Sequence, residues 1–161
     1  MVAVIAHALA VIRRDVLGQE ANPGQAAAAA LFHDASEIFT GDMPTPIKYF
    51  DPDIMSAYKR LESVASQKLL SCLPHEMRPA YDPLLSDCDA ETKKLVKAAD
   101  TLAAYIKCLE ELKAGNLEFK LAAMQSKKKL EALDMPESEY FIRHFVPAFE
   151  LTLDELDFSF D

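Results

Sequence analysis

The stretch LFHDASEIFTGDMPTP, residues 31–46, places His33, Asp34, Glu37 and Asp42 within ten residues at the end of an alanine-rich run. An imidazole nitrogen and a carboxylate oxygen together suit a borderline divalent metal. On a continuous helix His33 and Asp34 lie about 100° apart around the axis, so both reach an ion sitting between their directions. Glu37 falls four residues after His33 and three after Asp34, on the same face. There it can orient or deprotonate a water. A His-Asp dipeptide by itself is a weak motif. It reads equally as a half-buried histidine beside a surface or cap-like carboxylate. A second clue is Asp100 in LVKAADTLAAYIKCLEEL, flanked by Ala98, Ala99, Leu102 and Ala103. Carboxylates are rarely buried unless paired or bound to metal. The competing reading is a salt bridge to Lys97 or to a distant arginine.

These residues need helices to position them, and the sequence supplies them. Residues 3–16 are apolar nearly all round and stop at Gly18, which predicts a buried first helix. No capping residue precedes it. Asn22-Pro23 signals the start of a second helix, expected over residues 24–38 and carrying the His-Asp pair. The Gly- and Pro-containing run 40–46 is then a loop. Asp51-Pro52 opens a long helix with Ile54, Tyr58, Leu61, Ala65, Leu69 and Cys72 as its apolar stripe. Pro74, Pro79 and Pro83 divide the next stretch into short pieces. Asp89 caps a helix reaching residue 113, striped by Leu95, Leu102, Ile106 and Leu109 and ended by Gly115. Asn116 opens a charged helix to about residue 133, and Pro136 a shorter one before an acidic tail. No β alternation, repeat or Gly-rich phosphate loop is present, so the chain reads as an all-α bundle.

The 161 residues, half of them hydrophobic, suit one domain with one core. A net charge of −9 disfavours binding to a nucleic-acid polymer. A metal would reverse the local field for one small anionic substrate. The three cysteines form no CxxC pair. This usage fits reduced thiols in the cytoplasm, with Cys72 and Cys108 as core residues. In MVAVIAHALAVIRR the arginines follow the apolar run, which is the wrong order for a signal peptide. No segment predicts a membrane span.

HDASEIFTGDMPTPIKYF, followed by LVKAAD and AYIKCLEELKAGN, resembles the HD-domain metal-dependent phosphohydrolases and, within them, the bacterial YfbR-type 5′-deoxynucleotidases. The resemblance runs from Val2 through FVPAFELTLDEL. It implies an all-helical HD-domain homodimer that hydrolyses deoxyribonucleoside 5′-monophosphates to deoxynucleoside and phosphate. It also implies a divalent cation, such as cobalt, manganese or zinc, held here by His33, Asp34 and Asp100. Glu37 matches the family's catalytic glutamate. Asp42, Met43, Pro44 and Thr45 match the loop that contacts substrate, with Asp34 and Asp100 beside the bound nucleotide.

Members of that family carry an upstream segment with an Arg-Trp pair and a further metal histidine, which the resemblance would place before Met1. Together with the uncapped first helix, this gives the expectation of a single HD domain over residues 1–161 that is truncated at its start. Weak metal binding and little turnover are then expected of the chain as written. His7 lies about two and a half turns past that position and faces away from it, so it is expected in the core or an interface. His75 and His144 are expected at the surface. Two other readings remain open: a non-catalytic helical interaction module, and an HD-type phosphodiesterase acting on a guanosine alarmone or a cyclic nucleotide.

Overall fold

A computed structural model describes residues 1–48, 50–86 and 88–155, apart from the side chains of Thr45, Pro46 and Leu153. Every regular element among them is helical, as the sequence predicts. None of these helices is long and apolar enough to cross a membrane.

Three helices form the centre. Helix α1, Val2–Val11, buries Ile5, Ala6, Leu9 and Ala10. It does not stop where its α-helical hydrogen bonds do. A π-helical turn, Ile12–Val16, continues it, closed by the Leu17 N–H donating to the Ile12 carbonyl at 3.0 Å. The sequence predicted one uniform helix here. Gly18, at φ +65°, then reverses the chain in a conformation that costs a glycine little. Helix α2, Pro23–Leu31, starts as expected, with the Asn22 side chain accepting from the Gln25 N–H at 3.1 Å. Its buried Ala26, Ala29 and Ala30 let it approach α1 closely.

Helix α7, Ala90–Lys113, is the hub against which α1 and α2 both pack. Asp89 caps it, accepting from the Thr92 N–H at 2.8 Å and the Thr92 hydroxyl at 2.6 Å. Leu102 and Ile106 are fully buried, each contributing about 1.5–3 kcal/mol relative to exposure. Gly115, at φ +89°, ends the segment. A 3-10 turn, Leu117–Phe119, precedes helix α8, Lys120–Glu131, where a single helix from Asn116 was expected. Helices α9, Pro136–His144, and α10, Val146–Glu150, complete this side.

One buried ion pair ties these parts together. Arg13, in the π-helical turn, donates through Nε to Glu137 Oε1 at 2.8 Å and also through Nη2 to the same oxygen. Its Nη1 reaches Glu91 at 3.0 Å. Thus α1, the start of α7 and the start of α9 share one guanidinium. Among the described residues, neighbouring Ser138 keeps a buried hydroxyl with no hydrogen-bond partner.

The remaining helices are a thinner layer: α3, Glu37–Thr40; α4, Thr45–Lys48; α5, Pro52–Ser71; and α6, Arg78–Leu85. Asp51 caps α5 as predicted, accepting from the Asp53 N–H at 2.7 Å. Of its predicted stripe, Tyr58 and Ala65 are buried, but Ile54 and Leu61 remain exposed. Cys72, the C-cap of α5, is exposed as well, against expectation; Cys108 is buried as predicted. The three prolines divide their stretch less than expected. Pro79 sits in the first turn of α6, where a missing N–H costs nothing, and Pro83 lies inside the same helix.

Candidate active site

The helix carrying the chemistry ends earlier than its sequence predicts. α2 stops at Leu31, and Phe32 takes φ −113°, ψ 7°. Turn-type bonds follow: the Phe32 N–H donates to Ala29 O at 3.2 Å, and the Ala35 N–H to Phe32 O at 3.0 Å. His33 and Asp34 therefore sit on a turn between α2 and α3. The 100° spacing of a regular helix does not govern them.

The turn folds the pair together. His33 Nδ1 lies 2.8 Å from the Ala30 carbonyl oxygen. With its proton donated there, Nε2 faces outward, 3.0 Å from Asp34 Oδ2 and 3.8 Å from Asp100 Oδ1. Asp100 comes from the middle of α7, so the contact joins residues far apart in sequence. Its recorded ionic contact is to His33, and none joins it to Lys97. Both carboxylates are 59% exposed, while the imidazole is 22% exposed. Burial is therefore not what marks Asp100; the shared imidazole is.

Electrostatics follow this crowding. The Asp100 and Asp34 carboxylates hold the His33 imidazole above its ordinary pKa, against the opposing effect of burial. Burial raises the Asp34 pKa, and the neighbouring Asp100 and Asp42 charges add to it. Glu37 moves the same way, through burial and then through Asp34 and Asp42. Carboxylates that repel one another across a shared space favour a cation between them.

That space is a cavity of about 880 Å³ lined by Asp34, Glu37, Asp42, Met43, Asp100 and Thr101, with Lys48, Lys97 and Lys129. His33 lines the adjoining cavity of about 280 Å³, which also touches Asp100 and Lys97. Of the candidate substrate loop, Asp42 and Met43 line the larger cavity. Pro44 is exposed and is not part of its wall. The Thr45 side chain lies outside the described residues.

The loop is held from behind. Gly41 has φ +67°, and its carbonyl accepts from the Tyr58 hydroxyl at 2.9 Å and from Thr40 Oγ1 at 2.9 Å. Tyr58 reads in sequence as one more residue of an apolar stripe. Its hydroxyl at a loop-facing position was the only available hint of a second role. Lys97 and Lys129 were missed as cavity residues because surface lysines on amphipathic helices carry no distinguishing pattern. His7, His75 and His144 are all exposed. For His7 this corrects the core half of the expectation of a core or interface position: it points away from the packed face of α1. The His144 ring packs at a tilt against Tyr140, with a centroid distance of 4.2 Å.

Among the described residues, no group of three or more His, Cys, Asp or Glu is already arranged as a metal cage. The chemistry of the His33, Asp34 and Asp100 donors nevertheless fits a divalent cation. One ring nitrogen is engaged by a backbone carbonyl, as in metal-ligating histidines, and the other faces two carboxylates free enough to adjust. Three such donors leave positions open for water and substrate.

The chain is similar to known proteins over most of its length. Residues 1–149 match the family described as 5′-deoxynucleotidase YfbR-like. A 5′-deoxynucleotidase of Photobacterium profundum is 51% identical over 157 residues, covering 96% of this chain and 81% of that protein. The Escherichia coli 5′-deoxynucleotidase YfbR is 48% identical, with 96% and 79% covered. A crystal structure of an HD-domain phosphohydrolase from Listeria innocua superposes with a TM-score of 0.74 at 25% identity, covering 92% of this chain and 72% of that one. The chain belongs to the YfbR-like 5′-deoxynucleotidase family and has the HD-domain fold.

Proposed function

We propose that this family member hydrolyses deoxyribonucleoside 5′-monophosphates to deoxynucleoside and phosphate, acting as a single HD domain over residues 1–161. The observation that carries this reading is the meeting of His33 with Asp34 and Asp100, beside a cavity that Glu37 shares. His33, Asp34 and Asp100 would hold a divalent cation. Cobalt, manganese and zinc all suit a nitrogen and oxygen donor set. Such an ion supplies Lewis acidity toward water and offsets the charge of the phosphate.

The chain's own residues do the rest. Glu37, its pKa raised above the ordinary value by burial and by the Asp34 and Asp42 charges, takes the proton of the attacking water and returns it to the departing 5′ oxygen. Atoms balance: the P–O5′ bond breaks, a P–O bond to water forms, and the proton ends on the nucleoside. Asp42 and Met43 bound the substrate space from a loop that Tyr58 pins.

The same reading includes a homodimer in the cytoplasm. Ile38, Phe39, Ile47 and Phe50 expose large apolar side chains within one short segment. A second copy is the natural cover for such a patch. The three free cysteines fit a reducing compartment.

The test is a panel of deoxy- and ribonucleoside 5′-monophosphates, cyclic nucleotides and guanosine alarmones, each with Mn²⁺ or Co²⁺. Weak turnover of the deoxy monophosphates, abolished in Asp34→Ala, is expected. Preferential cleavage of diesters, or turnover that survives Asp34→Ala, would overturn the assignment.

A further inference from the structure

The larger cavity has an uneven charge. Asp34, Glu37, Asp42 and Asp100 contribute four carboxylates. Against them stand three lysines, one of which is committed elsewhere: Lys48 pairs with Glu62 at 3.0 Å and lies 4.5 Å from the Tyr58 ring centroid. Lys97 and Lys129 differ. Neither ammonium makes a recorded ion pair or hydrogen bond among the described residues, though both line the cavity. They arrive from different helices. Lys97 stands one turn before Asp100 on α7, and so on the same side of that helix. Lys129 comes from the last turns of α8, beside Ala132 and Leu133.

An oxygen-rich dianion entering this space meets two uncommitted ammonium groups among the carboxylates, Lys97 a turn from Asp100 on α7 and Lys129 on α8. A deoxynucleoside would gain little from those ammoniums, whereas a phosphate gains charge-assisted hydrogen bonds from each. We propose that Lys97 and Lys129 form a two-helix clamp that binds the phosphate group of the substrate and holds it over the His33–Asp34–Asp100 centre. The clamp makes the site selective for phosphorylated ligands over their nucleosides. This inference rests on the nucleotidase reading and assigns its phosphate-binding groups.

The test uses the two reaction products as separate probes, so that nothing is consumed during the measurement. Inorganic phosphate and 2′-deoxyadenosine are titrated calorimetrically into the Mn²⁺-loaded protein, wild type and variants, at low and high salt. Lys97→Met and Lys129→Met should each weaken phosphate roughly 10-fold, and the double variant more, as expected for loss of a charge-assisted bond. Deoxyadenosine affinity should stay unchanged in all of them. Lys97→Arg, which keeps the charge, should recover most of the loss. The salt dependence of phosphate binding should flatten in the double variant. Thermal melts identify any variant that has lost its fold. Phosphate binding unchanged in a folded double variant, or nucleoside binding lost in parallel with phosphate, overturns the clamp. If the wild type still hydrolyses deoxynucleotides in that case, the nucleotidase reading survives; if it hydrolyses none, both fall together.

Discussion

Asp100 and Asp34 face the same imidazole, yet they stand on differently built parts of the molecule. Asp100 projects from α7, a 24-residue helix with ten buried side chains that packs against α1, α2, α8 and α10. Asp34 sits on a turn, next to a four-residue helix with no buried residue. The segment that follows, through Gly41 and Asp42, is fixed mainly by the Tyr58 hydroxyl and short-range backbone bonds. One half of the site inherits its position from the core; the other is assembled locally and can shift by small amounts without opening the fold. A carboxylate fixed by the core set against a locally built His-Asp pair would suit the proposed ion site, which has to admit substrate as well. The difference also separates two kinds of mutation, those that unfold the hub and those that silence the turn.

The largest contrast should come from Glu37→Gln. Losing a proton-transfer group typically costs about 10²- to 10⁴-fold in rate. Because Glu37 lies on the locally built wall, the melting temperature should hardly change, and kcat measured beside a thermal melt checks both. The converse is Glu137→Ala. It leaves Arg13 largely buried with only the exposed Glu91 as partner, and breaking one side of a buried pair costs about 3–5 kcal/mol. Urea unfolding should show that loss, while activity per folded molecule persists. If Glu137→Ala instead abolished turnover in fully folded protein, hub and site would not be separable in this way.

Smaller effects sharpen the boundary. Tyr58→Phe keeps the buried ring and removes the hydroxyl that holds Gly41. About 1 kcal/mol of stability should go with it, together with a severalfold rise in KM, since the loop carrying Asp42 and Met43 loosens. Smallest of all is Asp89→Asn at the start of α7. The Thr92 hydroxyl and backbone N–H groups hold the Asp89 carboxyl below its ordinary pKa. A depressed folded pKa gives stability that is present above the unfolded value, near 3.9, and lost as pH falls through the folded value. Asparagine caps nearly as well but carries no charge. The wild type should therefore lead the variant by about 0.5 kcal/mol or less near neutrality, discounted for exposure, and that lead should shrink and vanish as acid protonates the folded-state carboxylate.

The hub was the legible half. Asn22 and Asp89 each accept the backbone bond that their position before a helix predicts, as Asp51 does for α5 outside the hub. Leu95, Leu102 and Ile106 of the predicted α7 stripe are buried and Leu109 is partly buried, a 3.6-residue period that is visible without knowing the partner. The turn half was less legible. Nothing in LFHDASEI breaks a helical pattern, so the change of backbone at Phe32 could not be read; tertiary contacts decide it, including the edge-on packing of Phe32 against Tyr81 at 5.7 Å. The Arg13–Glu137 pair spans 124 residues and has no local signature. Asp100 drew notice as a carboxylate among alanines. Its real distinction, the contact with His33, is a property of helix packing. Cys72, Ile54 and Leu61 follow an apolar period on α5 yet remain exposed, because periodicity reports which residues share a face and not what covers it.

The account rests on His33, Asp34 and Asp100 serving one ion. Co²⁺ titration followed by visible absorption, in the wild type and in His33→Ala, Asp34→Ala and Asp100→Ala, tests this directly. One equivalent should bind the wild type, and each substitution, including the one on α7, should weaken that binding about 100-fold or more while leaving the helical circular dichroism intact. A folded Asp100→Ala protein that binds Co²⁺ as the wild type does would contradict the shared centre.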